Sequence, residues 1–134
     1  MEIQSSTHDA LVLLAINSGQ GILINNGVTI EEIIEYIDAF DRTILTHKEF
    51  SEAIKRLLAI GFVKIENEKI YTTKYFHQQK KMHCKKVSGF INQLGELKKL
   101  LEINKNNFVE SEDSFNDFLS LESYELALAT YRIR

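Results

Sequence analysis

Apolar residues recur along this chain in blocks, and each change of spacing between them marks an element boundary. Ala10, Leu11, Leu14 and Ala15 repeat at helical spacing behind Ser6 and Thr7, both N-cap residue types, and the run stops at Asn17, Ser18 and Gly19. This predicts a first helix. Ile22, Leu23 and Ile24, held between Gly21 and an Asn25-Asn26-Gly27 turn, predict a brief strand. Thr29 stands three residues before Glu32, the spacing of a capping box, and Ile30, Ile33, Ile34, Ile37 and Phe40 then mark one face of a second helix. Its opposite face is acidic, with Glu31, Glu32, Glu35 and Asp38. Thr46 and Glu49 repeat the capping device ahead of Phe50, Ala53, Ile54, Leu57 and Leu58, a third helix that Gly61 ends as a C′ residue. Phe62, Val63 and Ile65, a polar turn at Glu66, Asn67 and Glu68, and the return through Ile70, Tyr71 and Thr72 predict a two-stranded hairpin.

Beyond Thr73 the pattern predicts one long helix. It opens on the chain's single basic block, Lys74, Lys80, Lys81, Lys85 and Lys86, which has no acidic residue inside it and is interleaved with Tyr75, Phe76, His77 and His83. Further along the same helix Val87, Phe90, Leu94, Leu97 and Leu101 alternate at spacings of three and four, the seam expected where two helices pack lengthwise. A dimerisation helix is one reading of that seam. A helix packed on its own core is the other, and Gly89 and Gly95 permit a kink. Asn104, Asn106 and Asn107 end the helix in a polar loop, and Phe115, Phe118, Leu119, Tyr124, Leu126, Ala127, Leu128 and Tyr131 predict short terminal helices that cover apolar surface. The expected fold class is mainly α with a small β-hairpin (α+β). Residues 1–73 form the core domain, and residues 74–134 form a helical extension that makes one structural unit with it.

The order helix, short strand, helix, helix, hairpin is carried by Thr46-His47-Lys48-Glu49-Phe50, Ala53-Ile54-Lys55-Arg56-Leu57-Leu58, Ile60-Gly61-Phe62-Val63 and Tyr71-Thr72-Thr73. Over residues 7 to 75 it resembles the winged helix-turn-helix family, and small bacterial regulators of the MarR and PadR type in particular. The resemblance implies a transcriptional regulator that binds duplex DNA as a homodimer. It implies that the outer face of helix three, His47, Lys48, Ser51, Glu52, Lys55 and Arg56, enters the major groove, and that Lys64 and Lys69 on the hairpin, the wing, touch phosphate. Lys80 and Lys81 would add phosphate contacts beside the wing. Dimerisation would fall to Val87, Phe90, Leu94, Leu97 and Leu101. The joint from Asp41 to Leu45 is longer than the tight turn of a typical member.

Composition changes this picture in two ways. Hydrophobic residues at 44% and charged residues at 26% of 134 residues describe one globular domain. The net charge is -3, and residues 1–73 hold 11 acidic against 6 basic side chains, so any phosphate binding has to be local. Mixed charges at i and i+4, such as Lys48 and Glu52, also suit a plainly solvated helix. A second function class therefore stays open: a protein-interaction module that meets a basic partner at Glu31, Glu35 and Asp38. The segment from Glu110 to Glu125, with six acidic residues and no Lys or Arg, is a candidate counterpart for the basic block.

Chemistry beyond binding finds no support. His77 and His83 are six apart and lack the i, i+4 spacing of two-His metal sites, and neither a glycine-rich phosphate loop nor a nucleophile motif is present. No cofactor, metal or catalytic residue is expected. Cys84 is the only cysteine, and the apolar run Ala10 to Ile16 is too short to span a bilayer and has no basic stretch before it, so a cytoplasmic protein is expected.

Overall fold

Seven consecutive residues, Ala10 to Ile16, are each no more than 2% exposed, which requires a helix covered on every side. That helix is α1 (Glu2–Gly19), and α2 (Ile30–Asp41), α3 (His47–Ala59), α5 (Phe90–Asn104) and strand β2 (Lys69–Thr72) all pack against it. The computed structural model describes residues 2–19, 27–105 and 120–133, with side chains from residue 7 onward. The remaining elements are β1 (Val63–Glu66), α4 (Lys74–His83) and α6 (Leu121–Ile133). The chain is thus mostly helical with a small antiparallel sheet.

Local signals set most of the boundaries. Thr29 accepts from the Glu32 backbone N–H at 3.1 Å while Glu32 Oε1 accepts from the Thr29 N–H at 2.9 Å, and Thr46 and Glu49 form the same reciprocal box at 3.1 and 2.8 Å. Arg42 ends α2 in the left-handed region at φ 56°, its N–H donating to the Asp38 carbonyl. At the end of α3, Gly61 takes φ 81°, the Phe62 N–H donates to the Leu57 carbonyl and the Gly61 N–H to that of Leu58, a Schellman closure that frees the chain to enter β1. Strands β1 and β2 pair from Val63↔Thr72 to Glu66↔Lys69, leaving Asn67 and Glu68 as a two-residue turn with φ 52° and 63°, both positive as a type I′ turn demands. Val28 adds an isolated bridge to Ile70 through two 2.8 Å hydrogen bonds. The expected strand at Ile22 to Ile24 lies outside the described residues, as do Asn106, Asn107, Phe115, Phe118, Leu119 and most of the acidic segment.

Four expectations change. Helix one begins at Glu2, upstream of the predicted Ser6 or Thr7 caps. Leu58 is only half-buried, whereas Phe50, Ile54 and Leu57 are fully inside. Phe40 is off the core face of α2 and 56% exposed. The largest change is that the long helix from Lys74 is two helices. Cys84 is extended, Gly89 holds φ 90° as the N-cap of α5, and the intervening turn is pinned by α5 itself. The Lys85 N–H donates to Glu96 Oε1 at 2.8 Å, and Asn92 Nδ2 donates to the Ser88 carbonyl at 3.1 Å.

The reversal makes α4 and α5 antiparallel. Tyr75 at the start of α4 donates its hydroxyl to Asn104 Oδ1 at the end of α5, at 2.8 Å, and the buried Asn104 amide in turn donates to Gln79 Oε1 and to the Leu100 carbonyl. A buried amide with all its partners in place costs little and specifies the register of the pair. The apolar seam proposed for dimerisation is consequently used inside the chain. Leu94, Leu97 and Leu101, with Leu100, are buried in the core that contains α1, so a second copy cannot also pack there. Val87 and Phe90 are half-exposed at the edge of that interface.

Because Leu97 is 2% exposed, Leu97→Ala is expected to lower unfolding free energy by about 2–5 kcal/mol in chemical denaturation, the range for deleting a buried leucine side chain. A surface seam would lose far less.

Candidate nucleic-acid interface

The cations that the sequence singled out fall on the outer face of α3, on the hairpin and in a groove beside α4. On the first of these the exposed positions are Lys48, Glu52 and Lys55, a narrow stripe of alternating sign. Ser51 is buried and donates its hydroxyl back to the Lys48 carbonyl at 3.3 Å, so it does not present a group to a groove. His47 is half-buried with its ring 5.9 Å from that of Tyr124, because α6 lies across the start of α3. Tyr124 anchors α6 there: it is buried against Phe50, donates its hydroxyl to the Leu45 carbonyl, and has its pKa pushed up to about 12 by burial, with the Glu49 charge adding to the shift. The phenol therefore remains a donor across the ordinary pH range.

Arg56 departs most from its expected role. Its guanidinium forks onto Asp9 of α1, with Nε donating to both carboxylate oxygens at 3.0 and 2.8 Å and Nη2 to Oδ1 at 2.8 Å. Asp9 is buried beside the apolar run, and burial raises its carboxyl above the ordinary value while the Arg56 hydrogen bonds and charge, and the His8 charge, pull it back. Such a bidentate pair fixes the orientation of α3 against α1. It also withdraws Arg56 from base reading. On the hairpin, Lys64 lies 3.4 Å from Glu66 and over the Tyr71 ring, and Lys69 is exposed beside it. Of the two hairpin lysines, Lys64 is thus met within the hairpin.

The third surface was created by the break after His83. The end of α1, α4 from His77 onward, residues 84–87 and the first turns of α5 enclose a groove of about 750 Å³. Lys80 and Lys81 reach it from α4 and Lys85 and Lys86 from the turn, so four of the five basic-block lysines line one concavity. Among the described residues none of these four ammonium groups makes a salt bridge. Lys74, at the far end of α4, is not part of it.

Two further groups shape the groove. Glu96 is the carboxylate on its wall, and its pKa is lowered first by the Lys85 backbone N–H and then by its hydrogen bond with Lys99, 3.0 Å away, so it serves to hold the turn. His77 accepts or donates at 2.8 Å to the Thr72 hydroxyl, and its pKa is lowered by burial and by Lys80, which leaves the lysines as the source of positive charge at neutral pH. Burial and then Glu96 raise the Cys84 thiol, which also donates to the Glu96 carbonyl, so it is not an activated nucleophile. Among the described residues no three His, Cys, Asp or Glu side chains cluster to hold a metal ion, and no helix is long and apolar enough to cross a membrane.

Sequence reasoning missed the partner of Arg56 and the gathering of the lysines. Asp9 carried a signal: an acidic residue directly before a seven-residue apolar run is drawn into the interior and needs a cation. The groove carried a weaker one, the Ser88-Gly89 pair within the supposed helix. No protein-family model, curated protein or solved structure matches this chain.

Arg56→Ala should destabilise the fold by about 1–3 kcal/mol at neutral pH, less than for a fully buried pair because Arg56 is partly solvated. Without Arg56 the Asp9 carboxyl rises further, so the native state of the variant binds that proton more tightly than the unfolded chain does. The loss should then shrink as pH falls through the raised pKa, and be greatest above it. Urea unfolding of variant and wild type between pH 7 and the acid range reads both; a pH-independent difference would place the pair's energy elsewhere.

Proposed function

We propose that this chain is a non-catalytic nucleic-acid-binding protein of the winged-helix type, in the regulatory class that the sequence resemblance implies, and that its phosphate-binding surface is the lysine groove between α4 and α5. The order of α1, the Val28 bridge, α2, α3 and the β1–β2 hairpin supports the winged-helix reading. The observation that carries the proposal is the convergence of Lys80, Lys81, Lys85 and Lys86 on one concavity in a protein whose net charge is -3. Clustering cations in a cleft focuses a local positive field that the whole-molecule charge does not provide. Phosphate neutralisation supplies most non-specific affinity for nucleic acid, so the groove is where such affinity belongs.

Helix three has a smaller part in this reading than a typical recognition helix. Lys48 and Lys55 stay on its outer face for backbone contact, while Ser51 and Arg56 are engaged within the fold and His47 is partly covered by α6. The competing reading, a basic protein partner at Glu31, Glu35 and Asp38, is weakened by α6. The Tyr131 hydroxyl donates to Asp38 Oδ2 at 2.6 Å, so that flank of α2 already has an occupant.

Lys80→Ala together with Lys81→Ala should weaken binding to every nucleic acid tested. It should also flatten the dependence of log affinity on log salt by about 0.9 for each phosphate no longer neutralised on duplex, or about 0.7 on single strands. Titrations of labelled random duplex and single strands across a salt series measure both. A wild-type protein with no salt-sensitive affinity at low ionic strength would overturn the proposal.

A further inference from the structure

Three aromatic rings cluster near the surface, Tyr36 and Phe90 at the edge of the core and Phe40 outside it. Phe40 and Tyr36 of α2 have ring centroids 4.6 Å apart, and Phe90 at the start of α5 stacks on Phe40 at 5.7 Å with planes 22° apart. Phe40 is 56% exposed, although α2 already presents Ile30, Ile33, Ile34 and Ile37 to the interior. Phe90 and Tyr36 are half-buried behind it and hold the ring in place.

The cluster borders the lysine groove. Ser18, which lines the groove, donates its hydroxyl to the Tyr36 hydroxyl at 3.3 Å. Val87, which also lines it, is three residues before Phe90, so their Cα atoms are no more than about 11 Å apart. Three of the five acidic side chains of α2 are turned to other work: Glu32 closes its capping box, Asp38 accepts from Tyr131 and Asp41 accepts from Thr43.

We infer that the groove and the Tyr36–Phe40–Phe90 cluster are one surface that takes single-stranded nucleic acid, with lysines tracking the phosphates and an unstacked base lying on Phe40. The inference rests on the groove being the phosphate-binding surface and names the class of nucleic acid bound there. In a duplex the base faces are stacked on each other and an exposed surface ring has nothing to lie against; in a single strand every base offers a π-face. A concave cationic track bordered by an exposed ring on an aromatic backing is the combination that such strands require. Stacking is little affected by salt, whereas phosphate contacts release counterions, so the two halves of the surface separate in a titration.

The test is fluorescence anisotropy on the full chain with labelled oligo(dT) of roughly a dozen nucleotides, a random-sequence duplex of the same length, and inorganic polyphosphate as competitor, each over a salt series. Wild type should bind the single strand more tightly than the duplex. Phe40→Ala should weaken oligo(dT) binding by about 5- to 150-fold without changing the salt slope, and should leave the duplex and polyphosphate affinities where they were. Phe40→Tyr should restore it. Phe40→Leu, which keeps apolar contact with Tyr36 and Phe90, should not, and circular dichroism of all three variants should match wild type. If Phe40→Ala and wild type bind oligo(dT) alike while the paired lysine variant is weakened, the stacking inference fails and the groove reading survives. Tighter binding of the duplex than of the strand also overturns it. Absence of salt-sensitive binding to any of the three probes removes the groove reading itself.

Discussion

The fold depends on α1 having no side that can face water. A helix with Ala10 to Ile16 buried all round must recruit a cover for each face, and the covers come from α2 and α3, the second strand of the hairpin, and α5. The last of these explains why residues beyond Thr73 are not an appendage. Were α5 undocked, one flank of α1 and the four buried leucines of α5 would be open to solvent, at roughly 1.5–3 kcal/mol for each such side chain. The hydrophobic demand of one helix therefore makes a single unit of the two segments.

That demand also sets where charge is available. Asp9 enters the interior as the residue before the apolar run, and its burial claims the Arg56 guanidinium from α3. The same kind of pairing holds on the hairpin, where Lys64 faces Glu66. In the chain's first half, Arg56 and Lys64 are drawn into structural pairs, while Lys48, Lys55 and Lys69 stay dispersed at exposed positions. The lysines gathered together for an external anion are those of the later basic block, on a helix end and turn where Glu96, the one carboxylate among the described lining residues, is occupied in holding the turn.

One backbone event, the reversal between His83 and Phe90, has three consequences. It lays α5 back on α1, folds the lysines of α4 toward those of the turn so that they share a concavity, and sets Phe90 against Phe40. A continuous helix would have spread the same lysines along a rod with a rise of about 1.5 Å per residue and carried Phe90 away from α2. The candidate site is in this sense a product of the turn and not of any one helix.

Features decided within a few residues of chain were legible in the sequence. Thr29 with Glu32 and Thr46 with Glu49 form their boxes because the interacting groups are three residues apart, and Gly61 and the Asn67-Glu68 turn act through their own backbone angles. Helices two and three, the hairpin, and the mainly α class with one small sheet followed from those signals. The sequence also located the basic block. It could not say which cations are free, because the partner of Arg56 lies 47 residues away and helical spacing alone placed that side chain outward. Nor could it say who covers the Leu94, Leu97 and Leu101 stripe, since periodicity specifies an apolar face and not its neighbour. Lys85 and Lys86 are good helix formers and hid the reversal; it is stabilised by Glu96, eleven residues on, which reaches the Lys85 N–H only after α5 has folded back. Local hydrogen bonds and backbone preference belong to the sequence, whereas which charge, seam or ring is left for a partner is decided by contacts between distant segments that form only when the core closes.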